Sequence, residues 1–85
     1  MIDLKDERFQ ILLVPPWENA GAEHWMSLWQ RKYPLWRRVE QKDWMNPKID
    51  EWIETLDEFV RAQTKPVVLV AHSLGSLTVA HWANR

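Results

Sequence analysis

The sequence predicts an α/β chain: a parallel sheet with helices on both faces, laid down in the order β-α-β-α-β-α. Two short branched apolar runs, at 10–14 and 67–71, read as buried strands. Helical patterns follow each strand. The second apolar run passes directly into such a pattern through His72-Ser73-Leu74-Gly75. Alternation of this kind builds a parallel sheet. The expected strand order is 2-1-3, with the two apolar strands side by side and a more polar strand outside them.

The elements follow in turn. Phe9-Gln10-Ile11-Leu12-Leu13-Val14 is closed by Pro15-Pro16, neither of which can donate to a strand ladder. Glu18-Asn19-Ala20-Gly21-Ala22 has loop composition. A first helix is expected from Glu23 to about Tyr33. Trp25, Leu28 and Trp29 should form its apolar face, and Pro34 ends it. The polar segment Arg37-Arg38-Val39-Glu40-Gln41 is read as the outer strand. Asn46 and Pro47 have the residue types of an N-cap and a first helical position. Behind them Ile49, Trp52, Ile53, Leu56 and Val60 make an apolar stripe. Asp50 and Glu51 favour the positive end of that helix dipole. Val67-Val68-Leu69-Val70-Ala71 is apolar at every position, which predicts cover on both faces. A third helix is expected over roughly 74–84.

Composition narrows the function classes. A chain of 85 residues supports one small domain, and 46% hydrophobic with 27% charged residues is a globular balance. A net charge of −1 supplies no electrostatic footprint for nucleic acid or an anionic membrane. The lack of cysteine excludes disulfides and thiolate metal sites and fits the cytoplasm. Met1 to Arg8 is too charged for a signal peptide. No apolar run approaches the roughly 20 residues of a membrane span. Seven tryptophans are expected to fill space between helices and sheet, with Trp17 as the candidate pocket-liner.

The chemistry sits after the last strand. Ala71-His72-Ser73-Leu74-Gly75 has the small-x-Ser-x-Gly pattern of a nucleophile elbow, between a strand and a helix as that motif requires. The serine of such a turn often has φ above zero. Small residues two before and two after it, here Ala71 and Gly75, avoid a collision across the turn. Ser73 would stand at the carboxyl edge of the sheet, where open α/β folds bind ligands. The Leu74 N–H could then stabilise a tetrahedral oxyanion. A second donor is expected from the loop after the neighbouring strand. Pro15 and Pro16 have no N–H, so Trp17 is the first residue there able to donate. The competing reading is a serine that merely caps a helix.

These residues also carry a resemblance. Val14-Pro15-Pro16-Trp17, Glu23-His24-Trp25, Arg38-Val39-Glu40-Gln41-Lys42-Asp43-Trp44 and Ala71-His72-Ser73-Leu74-Gly75 resemble the small serine hydrolases of the retinoblastoma-binding-protein type, over about Ile11 to Trp82. The resemblance implies an incomplete α/β-hydrolase fold, with residues 1–85 as the N-terminal portion of a single domain. It implies cleavage of a small-molecule ester or amide by a Ser-Asp-His triad, with no cofactor. Ser73 matches the family's nucleophile, while the family's acid and base lie later in the chain than Arg85. The family usually has Pro-Gly where this chain has Pro15-Pro16, which stiffens the loop and removes an N–H.

A serine hydroxyl needs a base to take its proton. His72 adjoins Ser73, but side chains of neighbours in a tight turn diverge. His81 lies about 12 Å further along the helix. His24 opens the first helix near the sheet's carboxyl edge and is the least implausible of the three, but it reads first as a capping or core histidine, since the family's matching His-Trp is not the triad base. No His/Asp/Glu group has metal-ligand spacing. The chain alone is therefore expected to be inactive. The alternatives are a non-catalytic interaction module and a vestigial fragment. With strand 67–71 at a sheet edge, the isolated chain should be marginally stable or self-associate through that edge.

Overall fold

The computed structural model describes residues 7–85; the stretch 1–6, and with it most of the reading of the amino terminus, lies outside the described residues. Three parallel strands form one sheet: β1 (Gln10–Val14), β2 (Arg37–Arg38) and β3 (Val67–Ala71), in the order β2-β1-β3. Three helices alternate with them: α1 (Trp25–Lys32), α2 (Ile49–Arg61) and α3 (Leu74–Ala83). The expected fold class and strand order are both present.

Side chains alternate across a strand, so β1 serves two cores. Ile11 and Leu13 join Ala20, Met26 and Trp36 on the α1 face. Leu12 and Val14 join Val39 and Leu56 on the other, where Phe59 of α2 and Val79 and Trp82 of α3 close over them. β1 and β3 pair from Gln10↔Val67 to Val14↔Ala71. Across the α2–α3 contact the Trp82 indole N–H donates to Asp57 Oδ1 at 3.0 Å. That bond, with Arg61 2.7 Å away, holds the Asp57 carboxyl below its ordinary range.

Four local expectations are corrected. β2 is two residues long rather than five, although the Val39 N–H still bonds the Leu13 carbonyl at 2.9 Å. α1 turns a different side to the sheet: Met26 is fully buried, whereas Leu28 and Trp29 are exposed. A polar network sets that rotation. The Arg38 guanidinium donates to Ser27 Oγ, Gln30 Oε1, Asn19 Oδ1 and the Ala20 carbonyl, so the Ser27 side of α1 faces β2. α2 begins at Ile49 with Lys48 as N-cap, not at Asn46 and Pro47. The Asp43 carboxylate accepts the Met45 and Asn46 N–H groups and holds 43–46 as a turn of its own. Finally, all five β3 residues are half-buried, because β3 is an edge strand with a neighbour on one side.

Among the described residues no helix is long and apolar enough to cross a membrane.

Candidate active site at the carboxyl end of the sheet

β3 ends level with β1, where the His72 N–H reaches the Val14 carbonyl at 3.3 Å. The chain then reverses its backbone sense in one residue. Ser73 has φ 55° and ψ −121°, in the half of conformational space that costs an L-residue about 1–3 kcal/mol. α3 starts immediately after it. The Gly75 N–H bonds the His72 carbonyl, and the Ser76 and Leu77 N–H groups bond that of Ser73.

Ser73 occupies the N-cap position of α3, yet its side chain makes no cap hydrogen bond and is exposed. Among the described residues no hydrogen bond engages its hydroxyl. The simple capping role, for which serine is well suited, is therefore not how this serine is used.

Gly75 explains the tightness of the turn. A Cβ at this position would lie 2.7 Å from the Pro15 carbonyl oxygen and closer still to that of Val14. The crowding comes from the end of β1, not from Ala71 across the turn as the spacing suggested. The first turn of α3 thus rests on the backbone at the start of the β1–α1 loop.

That loop carries Trp17. Its indole N–H donates to the Met45 carbonyl at 3.1 Å and its ring is half exposed. Glu18 and Asn19 follow with φ 66° and 69°, two consecutive left-handed residues without glycine. The Glu18 N–H is held by the Trp44 carbonyl and the Asn19 N–H by that of Pro16. Among the described residues no hydrogen bond engages the backbone N–H of Trp17 or of Leu74. Arg38 anchors the far side of the loop through Asn19 and Ala20.

The histidines divide. His24 is the N-cap of α1: its Nδ1 accepts the Met26 N–H at 3.1 Å, which places the neutral ring's proton on Nε2. The His24 and His72 rings lie 5.2 Å apart, with Trp25 5.7 Å from His72. Desolvation, then the neighbouring His72 and Arg38, lower the His24 pKa from its ordinary 6.5. His81 is exposed on α3. The sequence places His24 near this edge, but not its ring packing with Trp25 and His72 or the fourfold anchoring by Arg38. The residues involved are far apart in the chain, and only the fold brings them together. The Asp43 turn, by contrast, has a local signal in the Asp-x-x-Asn spacing.

Known proteins bear on this geometry. The sequence profile of a family described as serine hydrolase matches residues 11–85. No curated protein matches the chain. Among solved structures, the crystal structure of a protein described as a YdeN-like hydrolase from Pectobacterium atrosepticum SCRI1043 superposes with a TM-score of 0.85 at 33% identity. The match covers 89% of this chain and 41% of that one, so this chain spans less than half the length of that relative. With the family profile matched over nearly its whole length and a fold shared at this level, the chain belongs to the serine hydrolase family.

Proposed function

We propose that the chain carries the nucleophile side of an esterase or amidase site, as the N-terminal portion of a single α/β-hydrolase domain, residues 1–85. The observation that carries this reading is Ser73: a strained strand-to-helix turn whose hydroxyl is exposed and not used to cap the helix it precedes. Strain of this kind persists only where surrounding structure enforces it, and it clusters at functional sites. Here Gly75 against β1 does the enforcing.

In this reading the turn is a nucleophile elbow. The Ser73 Oγ attacks the carbonyl carbon of a small ester or amide, its proton passing to a base as the C–O bond forms. The oxyanion is stabilised by the Leu74 N–H at the positive end of α3, with the Trp17 N–H as second donor. Both N–H groups are unengaged among the described residues, which favours that assignment. The leaving alcohol or amine departs with a proton, and water then releases the acid from Ser73. No cofactor enters these steps, and the absence of cysteine supports a cytoplasmic setting.

The base and its orienting acid belong outside these 85 residues. His24 has its Nδ1 committed to the α1 cap, and His81 lies on the far part of α3. The chain on its own is inactive in this reading. A fluorophosphonate probe tests it. The 85-residue chain should remain unlabelled, and a chain extended by its downstream coding sequence should be labelled at Ser73. Labelling that survives Ser73→Ala would refute the assignment. A non-catalytic docking role gains from a different observation, the half-exposed edge strand β3, and predicts no labelling of either chain.

A further inference from the structure

A cavity of about 490 Å³ opens at the end of the sheet opposite Ser73. All three parallel strands begin there. Gln10 opens β1, Arg37 opens β2, and Lys65 stands just before β3; all three residues line the cavity. Ser73 and the 15–17 loop lie at the strands' other end, about 16 Å away for a five-residue strand. The cavity therefore shares nothing with the site described above. Its volume falls in the roughly 300–1,000 Å³ range of small-molecule sites.

One side of the cavity is aromatic. Tyr33 and Trp36 stack with centroids 4.6 Å apart and planes 16° from parallel, and Trp36 and Ile11 are buried beneath. The Gln10 amide donates to the carbonyls of Leu35 and Ile11, which ties the turn after α1 to the start of β1. The rim is cationic among the described residues: Lys32, Arg37 and Lys65 line it, with Glu7 as the carboxylate among them. All three cations are exposed, and among the described residues none of them is in an ion pair. Lys32 Nζ stands 5.7 Å from the Tyr33 ring centre, so charge and aromatic surface adjoin.

We propose that this cavity binds a small amphipathic anion, an aromatic or apolar body carrying one carboxylate. The body lies on the Tyr33–Trp36 stack and gains from apolar burial. The carboxylate turns to the rim, where Arg37 can offer a two-pronged donor and the lysines point charges. Three cations that form no ion pair among the described residues, set around an aromatic floor, select for charge and oppose a neutral ligand of the same shape.

The test is a ¹H–¹⁵N NMR titration of the full chain with 2-naphthoate, and with uncharged 2-naphthamide as its isostere. Saturable shifts are expected at the amides of Gln10, Tyr33, Arg37 and Lys65, and not at Ser73 and Leu74. Naphthamide should bind about tenfold more weakly, and Arg37→Glu and Lys65→Glu should each weaken naphthoate by about tenfold, the scale of one charge-assisted hydrogen bond. Both positions are exposed, so neither change threatens the core. Equal affinity of the two ligands, shifts centred on the Ser73 end, no shifts at the amino rim, or indifference to both charge reversals would each overturn the proposal.

Discussion

Gly75 of α3 rests directly on the carbonyls of Val14, the last residue of β1, and of Pro15 just after it, with no room between them for a methyl group. The obstacle is backbone, which cannot rotate away as a side chain can. Gly75→Ala must therefore lift the first turn of α3 off the sheet. The expected cost is at least the 1–3 kcal/mol or so typical of overpacking, read as a lower urea midpoint. A variant as stable as the parent would mean that the turn is looser than this contact implies.

Ser73 contributes no cap hydrogen bond and bears a positive φ. Its replacement should therefore leave the fold intact. Ser73→Gly relieves the strain and should raise stability by about 1 kcal/mol, while Ser73→Ala should be near neutral. Equilibrium unfolding of the two variants decides this. A marked loss of stability in both would show that the hydroxyl has a structural task.

His24 couples the α1 cap to pH. The neutral ring accepts the Met26 N–H at Nδ1, and a proton there removes the acceptor. Burial, His72 and Arg38 hold its folded-state pKa below the ordinary 6.5. Above that value both folded and unfolded chains are neutral at this position and the cap is intact. As pH falls through 6.5 the unfolded chain takes the proton first, so stability declines until the folded-state pKa is passed. His24→Asn keeps an acceptor and removes this part of the decline, whereas His24→Ala should cost about 1 kcal/mol at neutral pH. Urea midpoints measured from neutral to mildly acidic pH give the slopes, and an unchanged slope in His24→Asn contradicts the mechanism. Loss of the Asp57 contribution belongs to a separate, more acidic window below its ordinary 3.8.

The outer edge of β3 is the remaining liability. Its residues are apolar, half-buried and hydrogen-bonded to a neighbour strand on one side. Unpaired strand edges of this kind recruit further strands. The 85-residue chain should sediment faster as its concentration rises, or else unfold at a modest temperature. A strictly monomeric chain with a sharp transition above about 60 °C, beyond most mesophile domains, would refute this.

The sequence revealed what short-range pattern controls. β1 and β3 were legible as uninterrupted branched apolar runs, and α3 because it follows a strand through Ser73 and Gly75 at the required spacing. The parts that escaped are set by polar side chains acting at a distance. Arg38, four bonds deep in α1 and the loop before it, decides which side of α1 is buried, and no periodicity encodes that. Asp43 binds the Met45 and Asn46 amides and draws Asn46 into a turn of its own, and α2 starts three residues later at Ile49. At the site, Ser73 and the placement of His24 near the sheet's carboxyl edge were legible, whereas the packing of His24 and Trp25 against His72 was not, since it exists only after α1 has docked.

β1 lies at the middle of everything the chain does. Four of its five residues feed the two cores, the strand pairs with both others, and its last carbonyl, that of Val14, forms with the next one, that of Pro15, the seat of Gly75. A one-residue slip along this strand would exchange Leu12 and Leu13 between opposite faces and at the same stroke carry Pro15 out from under α3. A change in this one short segment would therefore disturb the packing of both cores and the seat of the Ser73 turn at once.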